Sequence, residues 1–250
     1  MLPVDLLPGS PRFRRFRERK GRVPGSRLIS QNKPLPPRVR KGLAITFQSL
    51  VLLLAVLGVA ILMFNSRSIP DGLSLLSYFT IQSNLLVAVA LALGIRGLAQ
   101  DREDSVLLVV FKSGAVLWIL VTGIVYHVLL SGLWHPGGLT AFANLALHTF
   151  TPLGMVLNWL IFEKKGRYRY IFALYWLSYP FVYILGSWLR GWLTGFYPYW
   201  FFNPTRPYPG GAGSLGTMLL IVAGLALGFY GLGLLIVLVD KLIAPRLKPR

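Results

Sequence analysis

Six stretches of this chain carry no charged side chain over a length that can cross a bilayer: Leu43–Phe64, Gly72–Ile95, Ser113–Leu133, Leu139–Phe162, Tyr170–Leu189 and Ser214–Val239. A crossing helix needs about 20 such residues. In hydrocarbon the backbone must satisfy its own hydrogen bonds, and runs of this length without strict alternation form helices rather than barrel strands. The mean hydropathy of +0.60 belongs to the same class. The fold expected is therefore all-α, a polytopic membrane protein built as a six-transmembrane-helix bundle.

The charges set the expected orientation. Residues 1–41 hold twelve Lys and Arg against Asp5 and Glu18, and further cations follow at Lys164, Lys165, Arg167, Arg169, Lys241, Arg246, Lys248 and Arg250. The loops after the first, third and fifth runs hold Arg67, Arg190 and Arg206. Positive charge marks the cytoplasmic side, so both termini are expected there, which six crossings allow. Residues 1–41, rich in Arg and Pro, read as a disordered basic cytoplasmic arm that meets anionic lipid headgroups rather than nucleic acid. Residues 42–243 form the six-helix domain, and 244–250 a basic cytoplasmic tail. With no cysteine in the chain, thiolate nucleophiles and cysteine-ligated metals are excluded. Near the inner end of the third run, Lys112 is expected to snorkel to the headgroups.

Two of the runs are interrupted by polar side chains that lipid cannot satisfy. In the second, Ser77, Thr80 and Asn84 fall at helical spacings on one face and Gln82 points elsewhere. In the fourth, Asn144, His148, Thr151, Met155 and Asn158 make one stripe, and Pro152 withholds an N–H from the His148 carbonyl. Counted along continuous helices, Thr80 lies about 12 Å and His148 about 14 Å below the outer end. The two helices run in the same direction, so hydroxyl and imidazole share a level. The fifth run adds Tyr179 and Tyr183. Residues 191–213, with Tyr197 among many aromatics and prolines, read either as an interfacial belt or as a re-entrant flap over an outer opening.

A hydroxyl at hydrogen-bond distance from an imidazole is the arrangement of an activated nucleophile. Thr80 is the candidate nucleophile and His148 the candidate general base. No carboxylate completes a triad, so Asn84, Asn144 and Tyr183 are the candidates to orient the base or bind the oxyanion. Ser77, Gln82, Thr151, Tyr179 and Tyr197 are expected to line a substrate pocket. Other readings of the same residues stay open. Threonine bonds back to its own helix, and Asn and His hold membrane helices together. A pathway or pocket of a non-enzymatic lipid or small-solute binder or transporter would use them too. His127, His135 and His148 all lie in the outer half, but no i, i+4 ligand pair or carboxylate supports a metal there, so neither metal nor cofactor is expected.

Four separated motifs carry a family resemblance: Phe79-Thr80-Ile81-Gln82-Ser83-Asn84, His148-Thr149-Phe150-Thr151-Pro152-Leu153, Tyr179-Pro180 with Tyr183, Arg190 and Gly191, and Phe196-Tyr197-Pro198-Tyr199. In this order the chain resembles the prokaryotic six-pass integral membrane proteins. These are similar to the animal androgen-induced and androgen-dependent membrane hydrolases through a Thr in the second span and Asn144-x-x-x-His148-Thr149 in the fourth. The resemblance implies an intramembrane threonine hydrolase of fatty-acid esters in a bacterial inner membrane. Thr80 then matches the nucleophile and His148 the base. The family's aromatic segment ends in Asp where this chain has Asn203, which puts any acid role at that position in doubt.

Overall fold

The computed structural model describes residues 36–245. Among these residues there is no strand, and six helices are long and apolar enough to cross a membrane: α1 Pro37–Phe64, α2 Phe79–Ala99, α3 Val106–Leu130, α4 Gly138–Phe162, α5 Tyr170–Thr194 and α6 Leu215–Leu242. Many large apolar side chains lie on the exterior. Leu53, Leu157, Leu220 and Leu227 are all exposed, Leu220 to 76%, which is the surface a lipid solvent requires and water penalises. Most of the basic arm and of the tail lies outside the described residues. Pro37–Lys41, assigned to the arm by composition, instead form the first turns of α1, where Pro37 supplies a pre-set φ and lacks only an N–H that a first turn leaves unbonded.

Where the helices begin and end follows local chemistry. Ser105 caps α3 by accepting from the Leu108 N–H at 3.3 Å, and Ser214 caps α6 from Thr217 at 3.1 Å. Gly195, at φ 72°, stops α5 in the left-handed conformation. Helices α1 and α4 approach closely because a Cβ on Gly58 would lie 2.8 Å from Leu147, and one on Gly154 would lie 2.7 Å from Val51.

The second crossing departs from a continuous helix over Gly72–Ile95. Ile69–Ser74 form a short helix of their own, Leu75–Ser77 a tight 3₁₀ turn, and Tyr78 is extended at φ −83°, ψ 135°. Helix α2 therefore starts at Phe79, and Thr80 is its second residue. The Ser68-Ile69-Pro70-Asp71 sequence explains the extra helix: Ser68 caps it by accepting from the Asp71 N–H at 3.3 Å, and Pro70 stands at its start.

One end of the bundle is held by charge. Lys112 is buried rather than snorkelling, because its ammonium sits 2.8 Å from Asp104 and 2.6 Å from Glu163. Two acids supplied by the neighbouring loops are a better partner than headgroups the side chain would have to stretch to reach. Exposed pairs Lys41–Asp101 and Lys164–Glu103 lie around it. Buried Asp240 accepts the Tyr168 N–H at 3.0 Å and so ties α6 to the 163–169 loop.

Candidate active site

Thr80 and His148 meet. Thr80 Oγ1 is 3.2 Å from His148 Nε2, and both residues are buried. The opposite ring nitrogen, Nδ1, lies 3.0 Å from the Asn144 carbonyl oxygen. A carbonyl only accepts, so Nδ1 carries the hydrogen and Nε2 turns a lone pair to the threonine hydroxyl. The Tyr126 ring stacks on the imidazole with centroids 3.9 Å apart and planes at 21°. Asn144 Nδ2 fixes that ring by donating to the Tyr126 hydroxyl at 2.5 Å. The imidazole is thus fixed in tautomer by one bond and in plane by one face.

Backbone irregularities aim both groups. His148 lies in a π-helical turn, Ala146–Phe150, that runs straight into Pro152, and Tyr126 opens a second π turn, Tyr126–Leu130. Such widened turns recur at functional sites because they turn a side chain out of the regular helical register. Gly123 lets α3 approach the carbonyl that Pro152 leaves unbonded: a Cβ there would stand 3.1 Å from the His148 oxygen. Thr80 is aimed by the break at Tyr78. The first N–H groups of α2 have no helical partner and are taken by phenols, Phe79 N–H donating to Tyr183 Oη at 3.1 Å and Thr80 N–H to Tyr199 Oη at 3.3 Å.

The supporting roles expected from sequence are redistributed. Asn84 has both amide hydrogens engaged, by the carbonyls of Thr80 at 2.8 Å and Leu147 at 3.2 Å, bridging α2 to α4. Asn144 meets the imidazole through its backbone carbonyl rather than its side chain. Tyr183 reaches no part of the imidazole. It accepts from Phe79 and donates to the Ser77 carbonyl at 2.9 Å, holding the bend before α2. An apolar cavity of about 260 Å³ adjoins Thr80, lined by Phe79, Thr122, Tyr183 and Tyr199 on the bundle side and by Leu225 and Phe229 of α6. It reaches the outer surface between α5 and α6, where the lining residues Phe181 and Leu185 are 62% and 47% exposed.

Of the expected pocket residues, none lines this cavity. The Ser77 hydroxyl turns back to the Ser74 carbonyl, since Ser77 belongs to the tight turn and not to α2. Gln82 and Tyr179 bond each other at 3.2 Å, and the Tyr179 ring backs Phe79 from behind at 5.0 Å. Thr151 is fully buried with its hydroxyl unpartnered, one turn further into the core than His148. Tyr197 packs on helix α5, where a Cβ at Gly191 would overlap its ring. Asn203 accepts from Thr205 at 3.0 and 2.8 Å and donates to the Gly210 carbonyl at 3.2 Å, closing its own loop. No three His, Cys, Asp or Glu side chains gather as a metal site among the described residues; His127 pairs with Thr149 at 3.1 Å.

The aromatic segment packs on the helices rather than standing away from them. Gly191–Thr194 complete α5, and from Gly195 the chain folds inward, burying Phe201, Phe202 and Asn203. Tyr199 is the residue that sequence reasoning missed. Its hydroxyl stands 3.4 Å from Thr80 Oγ1, its ring stacks on Phe201 at 5.1 Å, and Tyr78 meets it edge-on at 5.6 Å. Burial raises the Tyr199 pKa above the ordinary phenol value, although the bonds from Thr80 pull the other way. The available signal was Gly191, six residues before Tyr197: a bare backbone there gives that ring a seat, leaving the next tyrosine to turn inward.

No protein-family model, no curated protein and no solved structure matches the chain. What it can do is therefore read from its own side chains.

Proposed function

We propose that this protein is an intramembrane hydrolase of lipid esters with Thr80 as nucleophile and His148 as general base. The observation that supports it most is the 3.2 Å approach of Thr80 Oγ1 to a histidine nitrogen whose partner bond leaves it a lone pair. A helix-gluing threonine bonds backbone or a fixed partner, whereas the Thr80 hydroxyl faces an imidazole and Thr80 itself borders an apolar cavity that opens sideways. An acyl chain enters between α5 and α6, and its ester carbonyl comes to rest at Thr80. As Oγ1 bonds to the carbonyl carbon, the C=O π pair moves onto oxygen and the hydroxyl proton passes to Nε2. When the carbonyl re-forms, the ester C–O bond breaks and the leaving alkoxide takes that proton. Water then attacks the acyl-threonine carbonyl and gives a proton to Nε2; as the acyl C–Oγ1 bond breaks, Nε2 returns that proton to Oγ1, releasing the acid with Thr80 and His148 restored.

A fluorophosphonate probe tests this directly. It should label the wild type and leave Thr80→Ala unlabelled. A folded wild type that takes no label points instead to a non-enzymatic lipid binder using the same cavity.

We also propose that the end carrying Lys112, residues 100–105 and residues 163–169 faces the cytoplasm of a bacterial inner membrane, with both termini there and the basic arm on anionic headgroups. The support is the cation asymmetry between the loops at the two ends. Because the chain has no cysteine, single replacements report cleanly. A membrane-impermeant maleimide added to intact cells should label Tyr208→Cys and not Lys164→Cys, and the reverse pattern would invert the topology.

A further inference from the structure

We infer that Tyr199 is a catalytic residue, its hydroxyl donating the hydrogen bond that stabilises the oxyanion formed when Thr80 attacks an ester; this rests on the hydrolase reading above. The aromatic segment that carries it is then part of the reacting site.

The first argument is elimination among donors near Thr80. Both Asn84 amide hydrogens are engaged by backbone carbonyls. The Tyr183 proton goes to Ser77, and the Phe79 N–H goes to Tyr183. Ser83 and Thr122 bond each other at 2.8 Å and the carbonyls of Thr80 and Trp118. Asn144 holds Tyr126. Tyr199 differs from all of these. Its oxygen accepts the Thr80 N–H, which fixes its position without using its own proton. Among the described residues the acceptor in its reach is Thr80 Oγ1 at 3.4 Å, a long contact that a better acceptor would displace.

The second argument is where the charge appears. The oxyanion is borne by the carbon to which Oγ1 has just bonded, so it develops within one bond angle of Oγ1. A donor held 3.4 Å from Oγ1 and lining the cavity from which the ester arrives is in range of that position. The donor is preorganised: Phe201 lies flat on its ring at 5.1 Å and 7°, while Tyr78 and Phe202 close its edges at 5.6 and 5.9 Å. Fixed donors of this kind in a dry site are what lower such barriers, by about 10²–10³-fold each. Burial, which raises the Tyr199 pKa, keeps the phenol in the neutral form that can donate.

The test compares wild type with Tyr199→Phe, which keeps the ring and deletes the hydroxyl. On a lipid ester, kcat should fall by about 10²-fold or more with KM nearly unchanged. A trifluoromethyl ketone, which forms the same tetrahedral adduct on Thr80, should weaken by the same factor as kcat/KM, while a non-hydrolysable ether analogue binds as before. A structural role would weaken ether and ketone alike. Should Tyr199→Phe fail to fold, 4-aminophenylalanine and 4-fluorophenylalanine at position 199 give the comparison on a ring of tyrosine's size, and only the amine should retain activity. Hydrolysis by the wild type together with an undiminished kcat in Tyr199→Phe overturns the role of Tyr199 alone. A wild type that neither hydrolyses esters nor takes the fluorophosphonate overturns the hydrolase reading and this inference with it.

Discussion

His148→Ala should reduce ester hydrolysis by about 10⁴-fold or more, Thr80→Ala by a similar factor, and the double variant by no more than either alone. The expectation follows from what each group does without the other. A threonine hydroxyl is a poor nucleophile until a base takes its proton during attack, and Nε2, at 3.2 Å from Oγ1, is the base in place to do so. An imidazole facing no nucleophile has nothing to deprotonate. The two act as one unit, so the second deletion removes nothing further. Purified protein in lipid nanodiscs, assayed on a long-chain ester, gives the three rate constants. If His148→Ala keeps about a tenth of the wild-type kcat, another group is the base. If the two losses multiply in the double variant, the residues contribute independently and the dyad is wrong.

Lys112→Met should be the most destabilising single change at the charged end, by about 3–5 kcal/mol. The ammonium lies between Asp104 and Glu163 at 2.8 and 2.6 Å, with its side chain 8% exposed and theirs 14% and 17%. Removing it leaves two carboxylates together in a poorly hydrated place, each without its counter-charge. Thermal unfolding in detergent should show the midpoint falling by roughly 10 °C for a chain of this size. The triple variant Lys112→Met, Asp104→Asn, Glu163→Gln should recover part of that fall, because the uncompensated charge goes with its partner. An exposed lysine reaching for headgroups predicts almost no change, so a midpoint within about 1 °C of wild type would return Lys112 to that role.

These two sites differ in how far the sequence revealed them. Thr80 and His148 were legible because polar side chains in uncharged apolar runs must find partners, and helical rise assigns each a level. The level for Thr80 was derived from a helix beginning at Gly72, which the extended Tyr78 contradicts. The pairing survived all the same: residues 69–77 form a short helix and a tight turn ahead of α2, and Thr80, the second residue of its helix, still meets His148 at 3.2 Å. Lys112 was misread for the opposite reason. A charge near a helix end looks the same in sequence whether headgroups or loop carboxylates receive it.

Sequence alone determined the number of crossings, the charged end, the absence of thiol chemistry, and the two helices that had to place a hydroxyl and an imidazole at one level. These follow from free energies that depend on residue type and on distance along the chain. Only the tertiary structure decided which polar groups touch: that Asn84 is engaged by backbone, that Asn144 acts through its carbonyl, that Tyr183 holds a bend, and that Tyr199 rather than Tyr197 reaches Thr80. Helical rise fixes height but neither rotation about the axis nor the path of a loop, and in an aromatic segment every ring is an equal candidate until a glycine on a neighbouring helix seats one of them.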